Sequence, residues 1–273
     1  MKLDNKVAVV TGAGVGLGKA IACAYARAGA RLVICDINEQ SLAAAASEIA
    51  AIGAECLPVK CDVSSSAGVS AMFEQACARF GTVHVLVNNA AVVPSRPEDD
   101  ARRNEHYAYL TTPQPRRSLG FTSAMTDAEW LRFWDVNVHG VFYCTREALR
   151  RMEPQRDGKI INISSTAGLC NLSAHSPHYS ATKGAVVAFT RSVAAEVAGA
   201  NIFVNAIAPG GVQTEAMNAY LDKMGDSARN QLFQLIPLGR MGTLDEYASL
   251  ALYLGSDNHY LVGQTISPNG GMF

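Results

Sequence analysis

Short apolar runs alternate along the chain with longer stretches in which apolar residues recur every three or four positions. The runs have strand length and fall at residues 7–11, 31–35, 56–60, 83–87, 159–163, 202–207 and 264–267. Helical periodicity occupies 18–28, 39–51, 67–80, 127–152 and 179–198, separating the strand runs as crossover helices would. Gly29 and Gly53 follow two of these stretches, where a left-handed cap is expected. Strands apolar on both faces are covered on both faces, so the pattern predicts an α/β chain in one domain, 1–273: a doubly wound parallel sheet with helices on either side. Ligands then bind at the carboxyl ends of the strands.

Two stretches depart from the rhythm. Residues 94–126 are rich in Pro, Arg, Asp and Glu and show no clear period; an insertion of that length reads as a partial lid, a subunit contact or a solvated excursion. Residues 214–237 carry Met217, Tyr220, Leu221 and Met224 and read as a mobile segment.

Composition narrows the partners. Charged residues make up 17% of 273, with a net charge of −1, so no basic face is offered to nucleic acid or to an anionic membrane. No apolar run approaches the roughly 20 residues of a membrane span, and the N-terminus lacks a signal peptide's hydrophobic region. Cys23, Cys35, Cys56, Cys61, Cys77, Cys144 and Cys170 are an odd number with no CxxC spacing. They read as reduced core cysteines in a cytoplasmic protein, with no metal expected.

Candidate chemistry begins at the first strand–helix junction, Thr11-Gly12-Ala13-Gly14-Val15-Gly16-Leu17-Gly18. Glycines there let the backbone approach a pyrophosphate, and the helix N-terminus supplies free N–H groups and a positive dipole end. Eighteen residues after Gly18, the second strand ends in Asp36, whose carboxylate accepts from ribose hydroxyls and repels a 2′-phosphate. No basic residue stands at Val15 or Ile37, so NAD is expected over NADP. Asp36 is also a candidate N-cap for the next helix.

Tyr179 and Lys183 lie four residues apart on a helical pattern, hence on one face. A neighbouring ammonium and an oxidised nicotinamide both favour the phenolate, which makes Tyr179 a candidate acid/base. The strand 159–163 runs into Ser164-Ser165-Thr166-Ala167-Gly168, bringing hydroxyls to the same end of the sheet.

The set of the glycine turn, Asn88-Asn89-Ala90, Asn137, Ser165, Tyr179/Lys183 and Pro209-Gly210 resembles the short-chain dehydrogenase/reductase family in its single-domain branch, over nearly the whole chain apart from about 94–126. The resemblance implies a Rossmann-like fold, a homo-oligomer (tetramer or dimer) built on 127–152 and 179–198, and hydride transfer between NAD(H) and a small-molecule alcohol or ketone. It implies Tyr179 as general acid/base, Lys183 as ribose ligand and pKa modulator, Ser165 as the group that orients the substrate oxygen, and Asn137 as support for a proton-relay water. Cofactor contacts are implied for Gly12, Val15, Gly16, Leu17, Gly18, Asp36, Asp62, Val63, Asn89, Tyr179, Lys183, Pro209, Val212 and Thr214. The family places a substrate cover at 214–237.

The chain also departs from the family pattern. Ala91 replaces the glycine of the usual Asn-Asn-Ala-Gly, and Asn89 to Asn137 spans 48 positions, about twice the usual distance. Ser165 stands 14 positions before Tyr179, one more than expected; Thr166 would restore the spacing, whereas the Thr-Ala-Gly that follows favours Ser165. His175 and His178, near the catalytic helix, read as solvated or capping residues or as pocket walls. Competing readings are a 3-oxoacyl-carrier-protein reductase using NADPH, a nucleotide-sugar epimerase, and a catalytically idle dinucleotide sensor. Asp36 speaks against the first, the short C-terminal part against the second, and the retained Tyr and Lys against the third.

Overall fold

A computed structural model describes residues 2–273. Seven parallel strands form one sheet: β1 (Val7–Thr11), β2 (Arg31–Asp36), β3 (Cys56–Lys60), β4 (Val85–Asn88), β5 (Gly158–Ile163), β6 (Ile202–Ile207) and β7 (Thr265–Ile266), in the order β3-β2-β1-β4-β5-β6-β7. The order reverses between β1 and β4, which opens a crevice at their carboxyl ends.

Alternation along each strand feeds two cores. Ala8, Val10, Leu32 and Ile34 pack on one face with helices α1 (Gly16–Arg27), α2 (Glu39–Ala51) and α10 (Leu244–Gly255). Val7, Val9, Val33 and Cys35 face α3 (Ser66–Phe80), α6 (Val141–Gln155) and α7 (Pro177–Val197). Sandwiched between two helical layers, β1, β4 and β5 are buried throughout. At the edge, β3 is mostly half-buried or exposed and carries Pro58, a residue an edge strand accepts because it donates no ladder bond.

Gly29 and Gly53 both have φ +92°, as their positions after α1 and α2 predict. The stretch 127–152 is helical in three pieces: α5 (Asp127–Trp134), a π-turn (Asp135–Gly140) and α6, which runs on to Gln155. All seven cysteines are free, and no helix among the described residues is long and apolar enough to cross a membrane.

Three stretches hold helices that the periodicity does not predict. The segment 94–126 is not irregular throughout: Pro97–Thr111 forms helix α4, with Pro97 at its first position and Glu98, Asp99 and Asp100 in its first turn, where they complement the dipole. Its period was hidden because only Asp99 and His106 are buried. The segment 214–237 contains helices α8 (Glu215–Lys223) and α9 (Asp226–Gln234), which pack through Leu221 and Leu232 on Ile236 and Met241. Helix α10 was absent from the expected elements, although Thr243 and Glu246 form a capping box at its start.

Candidate active site

The first turn after β1 is built for close approach. Gly12 and Gly16 have φ of +62° and +56°, conformations open to glycine. A Cβ on Gly18 would lie 2.2 Å from the Gly12 carbonyl oxygen, and one on Gly14 would lie 2.9 Å from Asp36 Oδ2. Helix α1 follows Val15, which gives no side-chain cap, and has no acidic residue in its first turn, so its leading N–H groups and dipole end stay available to an anion. This cradle fits the pyrophosphate of a dinucleotide. Asn89 holds the turn in place: its Nδ2 donates to the carbonyls of Thr11 and Gly12, each at 3.0 Å.

Asp36 ends β2 beside this turn. Its Oδ2 accepts from the Gly14 N–H at 3.0 Å and its Oδ1 from the Asn38 N–H at 3.0 Å. It does not cap α2; Asn38 does, accepting from the Ser41 N–H. Both exposed neighbours, Val15 and Ile37, are apolar, so nothing basic adjoins the carboxylate in the turn. Asp62 and Val63 follow β3 on the same side; Asp62 accepts from Ser64, and Val63 is buried against Gly140.

The catalytic candidates converge at the ends of β5 and α7. Lys183 Nζ donates to the Ile163 carbonyl at 2.8 Å, and Ser164 Oγ donates to the Lys183 carbonyl at 2.8 Å, so strand end and helix are stitched together. Lys183 Nζ lies 5.7 Å from the centre of the Tyr179 ring. Ser165, Tyr179 and Lys183 share a cleft of about 530 Å³ with Leu17, Asn89, Pro209, Val212 and Thr214. Gly12, Val15, Gly16, Gly18, Asp36, Asp62 and Val63 fall outside this cleft, along the strand ends where the rest of a dinucleotide would extend. Ala91 lines the cleft in place of the usual glycine.

Burial pushes the Tyr179 phenol up, and the Ser165 hydroxyl pulls against it. Burial also brings Lys183 down to about 8. In the chain alone, desolvation of the phenolate is the larger of the two effects on the phenol. Between the two candidate hydroxyls, Ser165 stands with Tyr179 and Lys183 in the cleft, while Thr166 starts a short 3-10 turn (Thr166–Gly168) and lines only the adjoining pocket.

Asn137 sits in the π-turn and is buried. Its Oδ1 accepts from the Val92 N–H at 2.7 Å, and its Nδ2 donates to the Val92 carbonyl and to Thr182 Oγ1. Its side chain thus ties the loop after β4 to helix α7 and leaves the cleft wall to others. Beneath it, Asn88 donates to Asn162 and Thr145, and Asn162 donates to Thr190, a buried ladder joining β4 and β5 to α6 and α7.

Beyond Ser165 and Tyr179 the cleft continues into a pocket of about 200 Å³, walled by Tyr107, Leu172, His175, Met217, Met241 and Met272. Arg103 faces both spaces, held by Asp100 and the Pro94 carbonyl and stacked 4.9 Å from the Tyr220 ring. Arg103 and Tyr107 thus separate from their neighbours in sequence: Tyr109 and Arg117 bond each other, and Arg117 pairs with Glu105. The reading of His175 and His178 as solvated or capping fails, since both are buried. His175 Nδ1 lies 3.3 Å from His106 Nδ1; burial, with Arg103 nearby, drives His175 down to about 3, and burial lowers His106 as well. His178 packs edge-on to Phe133 at 4.0 Å and lies away from the pocket.

Sequence reasoning passed over one buried ionic cluster. Arg102 bonds both Asp99 and Glu129, and His178 Nε2 lies 3.6 Å from Glu129. Although burial opposes it, the Arg96 N–H and the Arg102 guanidinium hold the Asp99 carboxyl below its usual range. Asp99, Glu129 and His178 have metal-ligand types within reach of one another, but the guanidinium already supplies the cation there. The cluster clamps α4 to α5 and sets α5 against the first turn of α7 at His178, one residue before Tyr179.

Comparison with known proteins agrees with this geometry. A family model described as short chain dehydrogenase matches residues 6–225. Proteins named 3-oxoacyl-[acyl-carrier-protein] reductase are similar throughout: one from Thermotoga maritima is 32% identical over 100% of this chain and 99% of its own, and one from Chlamydia muridarum is 34% identical over 99% and 98%. Among solved structures, levodione reductase superposes with a TM-score of 0.85 at 28% identity, covering 99% of this chain and 98% of that one. A variant of actinorhodin polyketide ketoreductase solved with NADPH gives 0.83 at 30%, covering 98% and 97%. With the family's glycine turn, serine, tyrosine and lysine brought together at the carboxyl end of one seven-stranded sheet, the chain belongs to the short-chain dehydrogenases, oxidoreductases that work with a nicotinamide dinucleotide.

Proposed function

We propose that the protein interconverts a secondary alcohol and a ketone with NAD(H), using Tyr179 as the general acid/base. The observation that carries this reading is the meeting of Ser165, Tyr179 and Lys183 in one cleft beside the uncapped start of α1. The bound nicotinamide supplies or accepts the hydride. Tyr179 Oη gives a proton to the ketone oxygen, or takes one from the alcohol. Ser165 Oγ holds that oxygen against the phenol. Lys183, anchored on the Ile163 carbonyl, places its ammonium beneath the ring, and Asn137 fixes Val92 and the catalytic helix. Closure by Pro94, Met217 and Tyr220 keeps water from the reacting oxygen, with the insertion 94–126 as one wall and 214–237 as the other.

Asp36 supports NAD, since a 2′-phosphate would meet a carboxylate that is locked in place by two backbone N–H groups, while Lys60, its neighbour across β2 and β3, pairs with Glu39. The second reading, a 3-oxoacyl-carrier-protein reductase using NADPH, is favoured by the names of the similar curated proteins. Initial rates with NADH and NADPH, each on a cyclic ketone and on a 3-oxoacyl thioester, separate the two. The proposal expects kcat/KM at least tenfold higher with NADH. A preference for NADPH and the thioester would transfer the assignment to the second reading. We also assign an oligomer, dimer or tetramer, to the face of α6 and α7, and a cytoplasmic setting, consistent with seven unpaired thiols.

A further inference from the structure

A second cavity, of about 520 Å³, opens between α4 and the pair α8–α9. That volume lies within the range of sites that hold drug-sized ligands. Its walls are Tyr107, Ala108, Leu110, Met224, Leu232 and Leu235, and its rim is polar, with Asn104, Lys223 and Gln231. Leu110 is 54% exposed there, an apolar side chain left open to a concave surface. The cavity shares Tyr107, Tyr220 and Leu232 with the catalytic pocket, so only side chains of the inserted helix and of α8–α9 part the two spaces. The far wall belongs to α4, inside the segment that makes this chain depart from the family's spacing.

We propose that this groove is a distal subsite for the substrate, and that the substrate is a ketone or secondary alcohol carrying an elongated apolar extension. The reacting carbon sits in the small pocket at Ser165 and Tyr179, and the extension passes Tyr107 into the groove. The 200 Å³ pocket takes the ring or short branch at the reacting centre, while the larger groove takes the tail. The polar rim suits the far end of such a tail, where it returns to water. This rests on the alcohol–ketone reading above and adds the substrate's shape to it.

The test is a series of 4-alkylcyclohexanones from methyl to octyl, reduced by the full-length protein with NADH. In the wild type, kcat/KM climbs about two- to fourfold per added methylene, the upper value being the transfer energy of roughly 0.8 kcal/mol per CH₂. Ala108→Trp fills the groove from an exposed position; it leaves the methyl compound unchanged and flattens the climb. Leu110→Asp, also at an exposed position, lowers the octyl compound at least tenfold while sparing the methyl one, and stands in for Ala108→Trp if that variant no longer binds NADH by fluorescence. A flat wild-type series, or variants that slow methyl and octyl compounds alike, overturns the proposal. If no ketone in the series turns over with either cofactor, the alcohol–ketone reading fails instead. Calorimetric affinity for the same series then tests the groove alone: affinity that rises with chain length and falls in Leu110→Asp upholds it, and affinity independent of length refutes it.

Discussion

Burial moves Tyr179 and Lys183 toward their neutral forms, and the chain's own counterweight on the phenol is the Ser165 hydroxyl. Alcohol oxidation needs the phenolate, so its rate falls as pH drops through the tyrosine pKa. Ser165→Ala removes the group that pulls this pKa down; the falling limb of the kcat/KM profile should move to higher pH, read from rates between pH 6 and 10. Tyr179→Phe should lose about 10²–10⁴ in kcat while NADH still binds by fluorescence titration. Lys183 offers a test in stability rather than rate. A lysine held near 8 is charged in both folded and unfolded chains below that pH, and its buried charge then costs on the order of 3 kcal/mol. Between about 8 and its ordinary value near 10.5 the unfolded chain holds the extra proton, so stability rises with pH. Lys183→Met should therefore gain most in Tm over the wild type at pH 7, and the difference should shrink as pH passes 8. A difference independent of pH would reject the buried-charge account.

Among the elements, α4 shows why an inserted helix can escape a reading of periodicity. Its inward positions are Asp99 and His106, so its anchoring is ionic and imidazole-based where an apolar stripe would be expected. The signals that remain are the proline at its start followed by three acidic residues. Its clamp is testable: Arg102→Met leaves Asp99, 1% exposed, without its cation, and breaking one partner of such a pair costs about 3–5 kcal/mol. Thermal melting should fall by several degrees, and KM for the ketone should rise more than Kd for NADH, because α4 walls the substrate pocket and stands apart from the glycine turn. Helix α10 goes unread although its Thr243–Glu246 box marks its start, because it follows another helix and a loop and so stands outside the strand–helix alternation. The π-turn at 135–140 was not legible, since nothing in Asp-Val-Asn-Val-His-Gly distinguishes one extra residue in a turn from a regular helix.

For the molecule as a whole, α6 and α7 present Phe142, 43% exposed, beside Phe189, Leu149 and Val193 around a shallow groove of about 280 Å³. This is the face on which the family resemblance places subunit contact. Phe142→Asp should lower the mass seen by light scattering from a multiple of 29.0 kDa toward that value; a wild type already at the monomer mass would refute the assignment. The sequence by itself determined the α/β class, the parallel sheet, the phosphate turn, Asp36 at the end of β2, and the Tyr179–Lys183 face. All of these are local, set by side-chain period, by glycine spacing or by one helical turn. Tertiary structure alone decided that Asn137 spends its side chain on Val92 and that His175 pairs with His106. It also decided that α4 stands opposite α8 and α9 with a groove between them. Those facts depend on contacts between residues some 45 to 116 positions apart, whose meeting is fixed by how layers pack on the sheet and leaves no trace in the local pattern.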